Sequence, residues 1–432
     1  MSNKKKNGTD RWGANDNSSS SSPRAFSRRD FIKAGAMGAA GAGLLTLFNY
    51  GQNAQKAPQV MKNSMTLTSG YIPIVDSTPI PIAYAKGFFK EQGLRAEKPV
   101  LIRAWAPLLE AFIADQVLLT HILLFQVIFM RYAQNHPVRS IAFNHLNGIA
   151  MLGGPGIRSM KELGGKVVGC PIWWAPHTLI FQECLRAEGL TPIVDKAGKS
   201  IAANEVAFRV LPPPDMPTAL MTKAISGAVV SEGFGAAAEL LAGSTLLRMS
   251  GDVWRNHPCC QSVLMQRTID KDPSWAQAVT NAIAQACAWC EKNPEETAEI
   301  LASDGGGYFP MPKKVMKRAI LHVDLKEYGV ETGTGAIRHP EWNVKRLGFN
   351  PYPYSSAFEL AVSLMKKTTV DPAVALTPAL LKLDPKQAAR DIVDYKMITG
   401  AINKAGGLKQ FVNVNPADPL NRNEEFDVKP LA

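Results

Sequence analysis

"GYIPIVDSTPIPIAYAKGFFKEQGL", Gly70 to Leu94, decides the fold class. Its start continues an alternating run from Met65, so a strand is expected over Met65–Ile74. The polar turn Asp76-Ser77-Thr78 breaks that run. Apolar residues then recur at helical spacing up to Gly93, a residue suited to a helix C-cap. Strand, turn and helix follow one another within twenty-five residues. The same order returns along the chain. "PVLIRAWAPLLEAFIADQ" gives a second strand and helix, "KVVGCPIWWAPHTLIFQECLRAEGL" a third set, and "NEVAFRVLPPPDMPTALMTKAISGAVVSEGFGAAAELL" two more. Alternation of short apolar strands with amphipathic helices predicts an α/β protein with mostly parallel sheets flanked by helices. Beyond about Glu341 the chain is helical in pattern and punctuated by proline, with no new core of its own.

At 432 residues the chain suits two lobes plus appendages. Its net charge of +11 is uneven: residues 1–57 hold +6 of it, leaving a mild +5 for everything else. No basic stripe is interleaved with aromatics, so nucleic acid is excluded as the expected partner. Residues 1–57 read as a disordered leader carrying an address. "SRRDFIKAGAMGAAGAGLLTLF", Ser27 to Phe48, sets two arginines before a weakly hydrophobic Gly/Ala-rich run, the pattern of a twin-arginine export signal. Cleavage near Ala57 and a periplasmic location are expected; retention as a membrane anchor is the alternative. Val117–Gln134 is the most apolar stretch of the body, but His121, Gln126 and Arg131 interrupt it. A buried strand leading into a core helix is expected there, not a membrane span.

Six cysteines permit disulfides without specifying any. Cys287 and Cys290 have metal-ligand spacing, yet they share a helical face with Trp275, Val279 and Ile283 and read as buried packing residues. "NHPCC", Asn256 to Cys260, joins a histidine to adjacent thiols. Neighbouring cysteines are a poor chelate beside separated C-x2-C pairs, so neither a metal ligand set nor a cofactor is expected. The chain has no P-loop and is not expected to be an ATPase.

Several stretches together resemble the substrate-binding proteins of nitrate, sulfonate and bicarbonate ABC transporters. They are Gly70–Leu94, "SMKELGGKVVG", "LPPPDMPTALMTKAISGAVVSEGFGAAA", "VWRNHPCC", "YFPMP" and "FNPYPYSSAFELAVSLM", in that order. The last three follow the nitrate and bicarbonate branch. The resemblance covers roughly residues 65–400. It implies a two-lobe, periplasmic-binding-protein-like fold of type II, with a ligand cleft between lobes. Lobe 1 would comprise 62–150 and 247–340, lobe 2 would comprise 151–246, and 341–432 would form a helical extension packed on both. A monomer is expected, serving a membrane permease and ATPase and performing no catalysis. Two alternatives stay open: a binder or synthase of thiamine-pyrimidine precursors on the same fold, and a periplasmic sensor feeding a membrane receptor.

The same resemblance nominates the ligand residues. The turn Asp76-Ser77-Thr78 would place a hydroxyl and N–H donors at the cleft, or else cap the helix that follows, and Trp105 would wall the cleft. "WWAPHT" contributes Trp173, Trp174, His177 and Thr178 at a helix N-terminus, with His177 matching a ligand-contacting histidine. Asn147 would lie near the crossover between lobes, and Glu232 near the hinge. Cys259 and Cys260 occupy positions where nitrate and bicarbonate relatives tend to carry Glu-Lys. Loss of that lysine predicts a solute less anionic than nitrate, because a buried anion without a cationic partner is costly.

Overall fold

The computed structural model describes residues 65–196, 198–411 and 422–431. The leader, the twin-arginine motif and the cleavage region near Ala57 lie outside the described residues. Among those described, no helix is long and apolar enough to cross a membrane.

Thirteen strands are described: β1 (Ser69–Tyr71), β2 (Val100–Leu101), β3 (Leu119–Leu123), β4 (Val138–Phe143), β5 (Leu146–Asn147), β6 (Ile149–Gly153), β7 (Lys166–Cys170), β8 (Thr191–Val194), β9 (Glu205–Val210), β10 (Gly227–Ser231), β11 (Thr245–Met249), β12 (Cys260–Met265) and β13 (Leu347–Gly348). They form a five-stranded sheet ordered β2-β1-β3-β12-β4, a six-stranded sheet ordered β11-β6-β10-β7-β9-β8, and a short β13-β5 ladder. Both large sheets are mixed. β1 pairs in parallel with β2 and β3, and β7 pairs in parallel with β9 and β10. In the two large sheets, antiparallel pairs always include β6 or β12, the strands entered just after the chain passes from one sheet to the other.

Those two passages lie side by side. The first runs through Asn144–Gly148 and the second through Ser250–Cys259. Leu146 bridges Pro258 in antiparallel fashion, and the Asn147 N–H donates to His257 O at 2.9 Å. β13 then covers Asn147, so three segments meet at the junction between sheets.

Local structure departs from the sequence reading in three places. The first strand is short, Ser69–Tyr71, because Ile72 and Ile74 turn into the 3-10 segment Val75–Ser77. The helix expected to run to Gly93 is two helices, Pro79–Ala85 and Phe88–Glu91. Gly87, at φ 78°, breaks them apart in a conformation that glycine adopts without a Cβ penalty. The C-terminal extension is helical over Ser355–Met365, Pro385–Ile392 and Tyr395–Lys404, but residues 422–431 are extended. That tail lies along the second passage: Arg255 N–H donates to Glu425 O and Asp427 N–H to Val253 O.

Val117–Gln134 folds as β3 followed at once by the helix Leu124–Tyr132, almost wholly buried. The helix Pro273–Lys292 starts on an Asp272 cap that accepts from the Trp275 N–H at 2.9 Å. Trp275, Val279, Ile283, Cys287 and Cys290 all face inward from it.

Candidate functional site at the junction of the sheets

β1 is a parallel strand, and the turn after its carboxyl end carries Asp76. In open α/β sheets such turns line the ligand crevice. The Asp76 side chain is fully buried. At the entry to β12, the Cys259 thiol donates to Asp76 Oδ2 at 3.0 Å and the Cys260 thiol to the same oxygen at 3.4 Å. His145 Nε2, on the first passage, lies 3.5 Å from that oxygen. From the second sheet, Ser231 at the end of β10 donates its hydroxyl to Asp76 Oδ1 at 2.5 Å. His177 Nδ1, in the first turn of helix Pro176–Ala187, lies 4.0 Å from Cys259 Sγ.

Asn144 steadies the turn by donating to Asp76 O at 2.9 Å, and its own amide oxygen accepts from Ser262 Oγ at 2.7 Å. Two thiols, two imidazoles and a hydroxyl thus gather around one carboxylate.

The electrostatics follow from burial and proximity. Burial opposes ionisation of Asp76, but His145, His177 and the Cys259 thiol together hold its carboxyl below the usual range. Burial pushes His177 down to about 4, against the pull of Asp76. Burial pushes the Cys260 thiol up to about 12 and the Cys259 thiol well above its ordinary value. At neutral pH the cluster is a carboxylate held by two protonated thiols, with His177 neutral. Among the described residues, no lysine or arginine forms a hydrogen bond or ion pair with Asp76, His145, His177, Cys259 or Cys260.

The other nominated residues lie elsewhere. Ser77 and Thr78 turn their hydroxyls back onto Ile72 O, Ile74 O and Val75 O, so they hold the turn together. Trp105 packs on His121 with ring centroids 5.4 Å apart, and His121 Nε2 accepts from the Ile72 N–H. Trp173 is half-buried. Trp174 donates to Val374 O at 2.9 Å and stacks on Phe129, which fixes it against the C-terminal extension. Thr178 donates to Ile172 O inside its own loop. Asn147 has φ 62° and donates to Lys345 O, bracing the junction.

Glu232 pairs with Arg346 at 2.8 Å; burial, reinforced by Glu239, raises its carboxyl to about 7 despite that arginine. Gly233 beside it is close-packed, since a Cβ there would meet Met311 Cε at 2.6 Å. His145 and Ser231 were not legible as site residues. His145 stands in "FNHLN" between two asparagines that draw the eye first.

The family model of the NMT1-like family matches residues 61–303. The chain belongs to the NMT1-like family. Its relatives include a nitrate/nitrite binding protein NrtA of Nostoc, 25% identical over 334 residues, covering 70% of each chain. This NMT1-like chain also superposes on the periplasmic nitrate-binding protein NrtA of Synechocystis with a TM-score of 0.66 at 18% identity, covering 85% of this chain and 94% of that one. A ligand-binding component of an ABC-type import system from Staphylococcus aureus, solved with zinc bound, gives 0.59 at 18% identity over 78% and 99% of the two chains. These likenesses establish a periplasmic-binding-protein fold.

Proposed function

We propose that this NMT1-like chain is the exported, periplasmic solute-capturing component of an ABC-type importer and performs no catalysis. The two sheets are the cores of two lobes, the paired passages at Leu146 and Pro258 are the hinge, and the solute sits where Asp76 meets residues of the second sheet. The observation that carries this reading is the Ser231–Asp76 hydrogen bond of 2.5 Å, a polar latch between lobes at the carboxyl end of β1. Hinge closure around a solute is a recurrent device in two-lobe proteins. The closed form would then present both lobes to a permease and its ATPase.

The site is unsuited to a bare anion. It offers a buried carboxylate and thiols in place of a cation, and an unpaired buried anion is costly. Small-angle scattering and thermal shift of the full chain, screened against nitrate, bicarbonate, sulfonates, nitriles, ureas, pyrimidines and metal ions, test the reading. A solute that compacts the protein and raises its melting temperature supports it. Turnover of any of these compounds, or a hinge that no solute closes, refutes it.

A further inference from the structure

We propose that Asp76, His145, Cys259 and Cys260 form a four-ligand site for a single zinc-class divalent cation at the base of the cleft. The inference deepens the reading above by naming what the site takes, and rests on that reading for the cleft opening that admits the ion.

One donor atom from each residue lies within 4.8 Å of every other, and all four residues are buried. A tetrahedral ion with bonds of about 2.3 Å to sulfur and about 2.0–2.2 Å to nitrogen and oxygen separates its ligand atoms by roughly 3.4–3.8 Å. Measured from Asp76 Oδ2, the separations are 3.5 Å to His145 Nε2, 3.4 Å to Cys260 Sγ and 3.0 Å to Cys259 Sγ. Of these three separations only that to Cys259 falls short, by about half an ångström, which a small side-chain adjustment makes up.

The objection to adjacent cysteines falls for a structural reason. Successive residues within a strand point to opposite faces. β12 begins at Cys260, so Cys259 stands before the pleat in the irregular approach. Both thiols therefore reach the same carboxylate oxygen.

Donor chemistry selects the class of ion. Two sulfurs, one imidazole nitrogen and one carboxylate oxygen suit a borderline-soft ion of tetrahedral habit, whereas magnesium and calcium want oxygen. The metal-free arrangement is also frustrated at His145. The Cys260 N–H points at Nε2 from 3.4 Å, while the Asp76 carboxylate faces the same nitrogen from 3.5 Å. A lone pair on Nε2 serves the first contact and opposes the second; a proton does the reverse. An ion between Nε2 and Oδ2 takes a lone pair from each and turns their mutual repulsion into two bonds, at the expense of the longer Cys260 N–H contact. Ser231 on the other Asp76 oxygen and Asn144 on its carbonyl hold the carboxylate in position, the kind of outer support that ligating groups require. Binding converts the two thiols to thiolates: the ion forms two metal–sulfur bonds, two S–H bonds break, and two protons leave to solvent. Nothing is oxidised or reduced.

The test is titration of the full, metal-free chain with Co2+, followed by displacement with Zn2+. Expected are tetrahedral cobalt absorption with a thiolate charge-transfer band saturating at one equivalent, loss of that spectrum on adding Zn2+, and one zinc per chain by native mass spectrometry. H145Q should retain a thiolate band with affinity weakened at least about tenfold. C259S/C260S should lose the band, and C287A/C290A should keep it. Should C259S/C260S fail to fold, proton release by the wild-type chain decides: two per zinc supports the site, none overturns it. Absence of a thiolate band in the wild type, its survival in folded C259S/C260S or its loss in C287A/C290A overturns the inference. An organic or anionic solute that closes the lobes of a chain taking no ion overturns this inference and leaves the binding-protein reading standing. Absence of both closure and ion binding overturns the two together.

Discussion

Replacing Ser231 by alanine removes the hydroxyl that links the second sheet to Asp76 and adds nothing in its place. In the closed form this leaves Asp76 Oδ1 buried without its 2.5 Å donor. In an open form water would solvate that oxygen, so the loss acts almost entirely on closure. A hydrogen bond to a charged group contributes about 1.5–3 kcal/mol. At about 1.4 kcal/mol per tenfold, S231A should lower the closed-to-open ratio by roughly 10- to 150-fold. The apparent affinity for any solute of the closed form should fall with the closed fraction. The assay is single-molecule energy transfer between dyes at L101C and L241C, exposed positions beside different sheets. The six native cysteines are buried, which keeps labelling selective. S231A should shift the distribution toward the open state, and S231T, which keeps the hydroxyl, should restore part of the closed population. A distribution for S231A identical to wild type would refute the latch, and with it the assignment of the cleft.

The remaining predictions concern stability. Deleting residues 422–432 strips the acceptors from Arg248 (Lys429 O, 2.7 Å), Arg338 (Lys429 O, 2.6 Å) and Trp254 (Glu424 Oε2, 2.5 Å). At about 1–3 kcal/mol for each donor left buried, denaturant unfolding should show a loss of at least about 3 kcal/mol. W275A opens a cavity beneath the long helix Pro273–Lys292 and frees Met65 O, and should cost about 3–5 kcal/mol in the same assay. Burial pushes the Cys170 and Cys184 thiols up to about 12. Their folded values exceed the unfolded one near 9, so this contribution is intact below pH 9 and is lost as pH rises toward 12. The melting temperature should therefore fall between pH 8 and pH 10 more steeply in wild type than in C170A/C184A; equal slopes would remove these thiols from the alkaline transition.

The parts of the fold that were legible in the sequence are those with strong periodicity. Val117–Gln134 could be read as strand then helix because its polar interruptions are too frequent for a span. Trp275 to Cys290 could be read as one buried face because the spacing is helical throughout. What was not legible depends on encounters between distant segments. Gly87 looked like one more helical position, and only its positive φ shows the break. Trp174 was expected at the cleft, and its bond to Val374 O, far along the chain, is a contact that no local pattern shows. Cys259 and Cys260 stood out at once, but the direction of their thiols turns on which of them starts β12. His145 acquires meaning only when β1, β4 and β12 bring Asp76 and both cysteines to it.

The division of labour within the cluster bears on how binding would drive closure. Asp76, His145, Cys259 and Cys260 all come from the first sheet or the passages leading out of it, so a cation could load into an open protein. Ser231 ends β10 of the second sheet and His177 stands on the helix Pro176–Ala187; on the proposed hinge motion both would meet the cluster only in the closed form. A ligand shifts a conformational equilibrium only by its difference in affinity for the two states. With an ion bound, one carboxylate and two thiolates against a divalent charge leave the site net negative, which raises the value of any donor brought to it. Ser231 supplies one to Asp76. His177 Nδ1, 4.0 Å from Cys259 Sγ, is placed to supply another to the thiolate. Both donors would gain strength from the charge that ion binding creates, and both would be lost on opening. Two thiols at positions where the resemblance leads one to expect Glu-Lys would then let the ligand bring its own positive charge, and would make the closing contacts conditional on its arrival.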